Sequence, residues 1–102
     1  VVWVAGNIIR EIDPADTPDA SFFFEAILAA PSGGTARARL FNITTGTEVA
    51  NSEVTTSNAN STRLRSAVLT LASGPNDYRA EYGGVSGDTH TVFAADVVVI
   101  SA

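Results

Sequence analysis

Thr35-Ala-Arg-Ala-Arg-Leu-Phe-Asn-Ile-Thr44 alternates along its length: Ala36, Ala38 and Leu40 fall on one side of an extended chain, and Arg37, Arg39 and Phe41 on the other. Successive side chains of a strand point to opposite faces of the pleat, so this beat of two marks a strand with one face toward a core. The same beat recurs twice downstream. Thr62-Arg63-Leu64-Arg65-Ser66 sets Leu64 against two arginines, and Tyr78-Arg79-Ala80-Glu81-Tyr82 sets Tyr78, Ala80 and Tyr82 against Arg79 and Glu81. Five of the six arginines lie in such runs, which predicts a sheet protein with a strongly polar face.

Working outward toward the N-terminus, Ser21–Ala30 puts Phe22, Phe24, Ala26 and Leu28 on one face and Phe23, Glu25 and Ile27 on the other. Glu, Ala and Leu would favour a helix over Glu25–Ala30. The aromatic triplet and Pro31 favour a strand. Asp13–Ala20 is a linker with Pro14 and Pro18, and Val1–Ile12 reads as a first strand, broken or bulged at Gly6. Toward the C-terminus, Pro31–Gly34 and Thr45–Thr47 are turns, Glu48–Thr56 is a short strand of edge character, and Ser57–Ser61 is a polar loop. Thr62–Leu71 is a long strand, Ser73–Asp77 a turn, Gly83–Asp88 a hairpin loop, and Thr89–Ser101 a final strand.

That makes seven or eight strands with turn signals between them and no amphipathic helix. The pattern predicts an all-β fold, a two-sheet antiparallel β-sandwich. The 102 residues are read as one domain: a strand over 1–12, a Pro/Asp linker over 13–20, and the sandwich body over 21–102. No apolar run is long enough to predict a transmembrane helix, so no membrane insertion is expected.

The net charge of −5 argues against nucleic acid, whose phosphates call for a net basic surface. Cysteine is absent, which excludes disulfides and thiolate metal sites. Methionine is absent too, so Val1 is not a translation start, and the sequence reads as a processed form or a piece of something longer. Abundant Ala, Ser, Thr and Val with few charges leans toward an extracellular or virion-surface protein.

Candidate chemistry is sparse. Glu25, Arg37, Arg39, Arg63, Arg65, Arg79 and Glu81 would share one sheet face if their strands are neighbours. Such a face is either mutually paired and solvated or a docking surface for an acidic partner or another subunit. Glu11, Asp13, Asp16 and Asp19 supply oxygens of the kind calcium takes, but two prolines interrupt their spacing. His90 is the only histidine and, with no cysteine, cannot build a typical zinc or copper site; a Ser-His-Asp triad can be drawn with any of the nine serines, but no nucleophile elbow is present, since Gly84-Val85-Ser86-Gly87 is one residue short. No catalytic residue, metal or cofactor is expected. Asp96 sits in the most apolar strand and needs an arginine partner or exposure. Trp3, Tyr78 and Tyr82 are the rings that could stack on a sugar, though Tyr78 and Tyr82 share the core-facing side of Ala80. Asn42 and Asn60 open glycosylation sequons. The segment Val1, Val2, Trp3, Val4, Ile8 and Ile9 is apolar and β-prone behind its linker, and is a candidate for strand exchange with a neighbouring subunit.

The run Ala38–Gly46, with Arg65-Ser66, Leu69-Thr70-Leu71, Gly74 and Tyr78-Arg79, resembles jelly-roll modules on bacterial and phage surface proteins. The likeness spans about Phe22 to Ile100 and leaves Val1–Thr17 outside. It implies a jelly-roll sandwich that binds sugars or builds particles and filaments, and it carries over no functional residue. The expected function is therefore a non-enzymatic structural module of an extracellular filament or a virus or phage particle, partnered by copies of itself or other subunits. A carbohydrate-binding module of a larger secreted protein, with glycans as partners, is the alternative.

Overall fold

A computed structural model describes residues 2–30, 34–84 and 91–100. Among these described residues eight strands follow in order: β1 Val2–Ile12, β2 Ser21–Ala29, β3 Ala36–Asn42, β4 Thr47–Glu48, β5 Val54–Thr56, β6 Thr62–Arg65, β7 Asn76–Gly84 and β8 Thr91–Ile100. A single turn of 3-10 helix, Pro14–Asp16, lies in the linker, capped by Asp13, whose side chain accepts the Ala15 N–H. Among the described residues no helix is long and apolar enough to cross a membrane.

The strands form two antiparallel sheets. The larger has the order β1-β7-β3-β4, with β5 also pairing β3; the smaller has the order β6-β2-β8. The two-sheet antiparallel sandwich expected from the alternation is present. The pairings do not show a jelly-roll order. In an immunoglobulin-type sandwich the first strand shares a sheet with the second and the last with its predecessor. Here each terminal strand sits in the opposite sheet: β1 pairs β7, and β8 pairs β2. Of the expected hairpin loop over residues 83–88, residues 85–88 lie outside the described residues. Gly83 and Gly84 end β7, and the strand that follows belongs to the other sheet.

The alternating residues pack as their period requires. On β2, Phe22, Phe24, Ala26 and Leu28 are buried, and so are Ala36, Ala38 and Leu40 on β3 and Tyr78 and Ala80 on β7. Each large apolar side chain so buried contributes about 1.5–3 kcal/mol, which outweighs the helix preference of the Glu25–Ala30 stretch. Val49, Val54, Leu69 and Val97 complete the core, with Ile12 contributed from β1.

Two predicted strands are shorter than the pattern suggested. Glu48–Thr56 splits into β4 and β5, separated by a turn at Ala50-Asn51. There Ser52, fully buried, accepts the Leu40 N–H through Oγ at 3.0 Å and donates to the Val49 carbonyl at 2.7 Å. Thr62–Leu71 holds strand pairing only to Arg65. Ser66 then exchanges bonds with Phe24, donating its N–H to the Phe24 carbonyl and accepting the Phe24 N–H through Oγ, and the chain rejoins β2 at Leu69. Between them Val68 loops outward and is exposed.

Candidate interaction surfaces

The charged residues of the alternating runs do not share one face. Arg37, Arg39, Arg79 and Glu81 lie on the β1-β7-β3 sheet, whereas Glu25, Arg63 and Arg65 lie on the β6-β2-β8 sheet. A period of two fixes which side of its own sheet a residue occupies, but not which sheet its strand joins. The single face expected from the sequence is therefore two faces on opposite sides of the sandwich.

On the larger sheet the register stacks the residues in rows. Glu81 lies directly across from Arg39, and Arg79 across from Phe41. Glu81 is almost fully buried and holds two arginines, Arg39 through Nη2 at 2.8 Å and Arg79 through Nη2 at 2.8 Å. Burial alone would raise its carboxyl. The hydrogen bonds and charges of Arg79 and Arg39 outweigh that, and the group is held below the ordinary glutamate range. Arg39 also meets Glu48 at 3.2 Å, and Arg37 meets Glu53 at 3.1 Å. Aromatic rings cover both central cations: the Arg39 guanidinium lies 4.1 Å from the Trp3 ring centroid, and that of Arg79 lies 4.6 Å from Phe41. Trp3 pairs with Gly83 in register, and Gly83 pairs in turn with Arg37. With no side chain on Gly83, the indole can lie across β7 and reach β3.

On the smaller sheet Glu25 stands directly opposite Asp96, with Arg65 on its other side. Like charges in facing positions repel. Arginines draw them apart: Arg65 binds Glu25 at 2.6 Å with Arg63 at 3.6 Å, and Arg10 binds Asp96 at 2.7 Å. Arg65 also lies 5.2 Å from the Phe23 ring. A shallow cleft of about 280 Å³ lies on this face, bounded by Glu25, Asp96 and Arg63 with Ile27 and Val98.

Arg10 was not singled out by the sequence, because it lies outside the alternating runs. It comes from β1, in the larger sheet, and reaches β8, in the smaller. Its Nη1 bonds Asp96 and its Nη2 donates to the Val97 carbonyl at 3.1 Å, while the Val97 N–H donates to Asp96 Oδ1 at 2.7 Å. The arginine expected beside Asp96 is this one.

Of the candidate exchange segment, Val1 lies outside the described residues. Val2, Trp3 and Val4 pair with Gly84, Gly83 and Tyr82 of β7, and Ile8 pairs with Arg79. Val4 and Ile8 are exposed at 62% and 73%, and Ile9 packs against the core margin. The ladder shifts register between Ala5 and Ile8 and again between Ile8 and Arg10. The irregularity expected at Gly6 is thus present, and its cause is visible. A Cβ on Gly6 would overlap Cε2 of Tyr82 and lie 2.8 Å from Cδ2 and Cζ, so the tyrosine ring occupies the space a side chain would take.

The remaining candidates separate. Asn42 is buried, and its Oδ1 accepts the Thr45 N–H, so the folded chain does not present this sequon; Asn60 is exposed. Trp3 stands on the outer face, whereas Tyr78 is buried in the core, so these rings make no common sugar-stacking platform. Burial pushes the Tyr78 and Tyr82 phenols up; for Tyr78 the Ala72 backbone opposes part of the shift, without a hydrogen bond of full geometry to the hydroxyl. Among the described residues no three His, Cys, Asp or Glu side chains converge as a metal site. His90 and the 85–87 part of the Gly-Val-Ser-Gly run lie outside the described residues. Compared with protein-family models, curated proteins and solved structures, the chain matches none.

Proposed function

We propose that the chain is a non-enzymatic assembly module, a structural unit of an extracellular filament or of a virus or phage particle that meets further subunits through its strands and sheet faces. One observation carries this reading. Among the described residues four of the six exposed large apolar side chains lie on the two terminal strands, Val4 and Ile8 on β1 and Val99 and Ile100 on β8; the other two, Ile43 and Val68, lie between strands. Exposed apolar side chains grouped on edge strands are what contacts between subunits use. The arginines of both sheet faces, by contrast, have carboxylate partners within the chain. Light scattering over a concentration series tests the reading. Assembly that grows with concentration and weakens in Ile8→Asp supports it, and a chain that stays monomeric at millimolar concentration refutes it.

The cleft beside Glu25 and Asp96 favours a second reading, a carbohydrate-binding module. Two carboxylates, a largely exposed Arg63 and an aliphatic floor suit the hydroxyls and apolar face of a sugar ring. Glycan-array binding that is lost in Arg63→Ala would favour it over assembly.

A further inference from the structure

The geometry points to exchange of β1 between two copies of this chain: β1 of one copy pairs with β7 of the other and carries Arg10 to that copy's Asp96. The inference rests on the assembly reading and names its contact.

The body keeps a core without β1. Among the described residues only Ile12 of the buried apolar cluster belongs to β1, with Ile9 at its margin, while the other members come from β2 onward. What β1 adds is a set of separate fittings. Gly6 receives the Tyr82 ring, Trp3 lies under Arg39, Arg10 bridges to Asp96 and Val97, and Ile12 closes one end. All four depend on this strand's own sequence and register, so a second copy's β1 satisfies them and an unrelated strand does not.

Simple addition of a foreign strand to the open edges is disfavoured. The β1 ladder is bulged twice, and both backbone polar groups of Val97 on β8 are already met by side chains. Exchange avoids both obstacles, because the incoming strand replaces β1 instead of adding beside it. The tether permits this. Eight residues, 13–20, join β1 to β2, and once the Pro14–Asp16 turn unwinds a chain of that length spans at most about 26–29 Å. The sandwich is 18 Å across its short axis, so β1 can reach a neighbouring body. Monomer and exchanged dimer make the same β1 contacts, so their balance is set by concentration against the tether's effective concentration, of millimolar order for a short flexible link.

Register supplies the test. Glu11 pairs with Asp77, and both side chains are exposed. The chain has no cysteine, so Glu11→Cys and Asp77→Cys each introduce a single thiol. The two full-length variants, one of them nitrogen-15 labelled, are mixed at about millimolar concentration and oxidised, and the products are read by mass spectrometry. Exchange yields a labelled–unlabelled dimer joined 11 to 77, at least tenfold above the same mixture oxidised after hundredfold dilution. The double variant E11C/D77C, oxidised when dilute, locks β1 in its own chain and loses assembly. If wild-type chains assemble but no 11-to-77 dimer forms, exchange is overturned and the assembly reading stands. If the locked double variant assembles as the wild type does, exchange is overturned as well. If wild-type chains do not assemble at all, both readings fall.

Discussion

Replacing Gly6 by alanine puts a methyl group where the Tyr82 ring lies. Gly6 does not have a positive φ, so backbone conformation gives no reason for glycine there. The reason is contact. The added carbon would overlap Cε2 and sit 2.8 Å from Cδ2 and Cζ, whereas carbons in good contact stand about 3.5–4.0 Å apart. The ring must therefore withdraw by ~1 Å or more, or β1 must lift from β7. Tyr82 packs against the core and faces Val4 in register, so either movement disturbs the ladder. Overpacking of this kind costs about 1–3 kcal/mol. Relief of glycine's entropy cost in a strand returns about 0.5–1 kcal/mol. The expected net loss is ~1–2 kcal/mol, and each kcal/mol lowers the melting temperature of a domain this size by about 4–8 °C. Urea denaturation of the wild type, Gly6→Ala, Tyr82→Ala and the double variant isolates the cause. In the Tyr82→Ala background the methyl has room, and Gly6→Ala should be neutral or stabilising. Equal losses in both backgrounds, within about 0.5 kcal/mol, would show that the ring is not what demands glycine.

The buried acid and the two core-facing tyrosines should set the pH limits of stability. Glu81 is held below the ordinary 4.5 of a glutamate, so its contribution is present above that pH and is lost as pH falls below it. Glu81→Gln should destabilise by roughly 2–3 kcal/mol at neutral pH and flatten the acid limb of a denaturation profile; an unchanged limb would assign it to other carboxylates. Tyr78 and Tyr82 are raised above 10.0, so stability should be full below that pH and fall above it; Tyr82→Phe should remove its part of the alkaline loss. Ser52→Ala strips bonds from Leu40 and Val49 and should cost about 1–3 kcal/mol in the same assay, with near-wild-type stability contradicting the role given to its hydroxyl.

The strands were most legible where both faces had a clear chemistry. Burial alternates along β2 from Ser21 to Leu28 and along the whole of β3, even where Phe23, Ile27 and Phe41 put apolar residues on the outer face, and on β7 Tyr78 and Ala80 are buried as the period requires. Legibility ended where the deciding information is not local. The arginine rows look alike in sequence, yet Arg37 and Arg65 stand on different sheets, because pairing partners lie far along the chain. Ser52 and Ser66 read as ordinary positions of two strands, although each stands where the ladder breaks and its hydroxyl replaces ladder bonds inside the core. Arg10 carried no periodic signal, and its role follows only from β1 lying beside β8. Gly6 did announce an irregularity, but the tyrosine behind it comes from the far end of the chain.

The crossed placement of the terminal strands also sets an order of events. During synthesis β1 emerges before β7, so Val2 waits for Gly84 and Ile12 for Asn76 before either has its register partner. Pairings so distant along the chain form late and slowly. Until β7 has been made, an apolar strand is complete while the edge it belongs to does not exist. On a ribosome-crowded message, the first finished β7 edge it meets need not be its own.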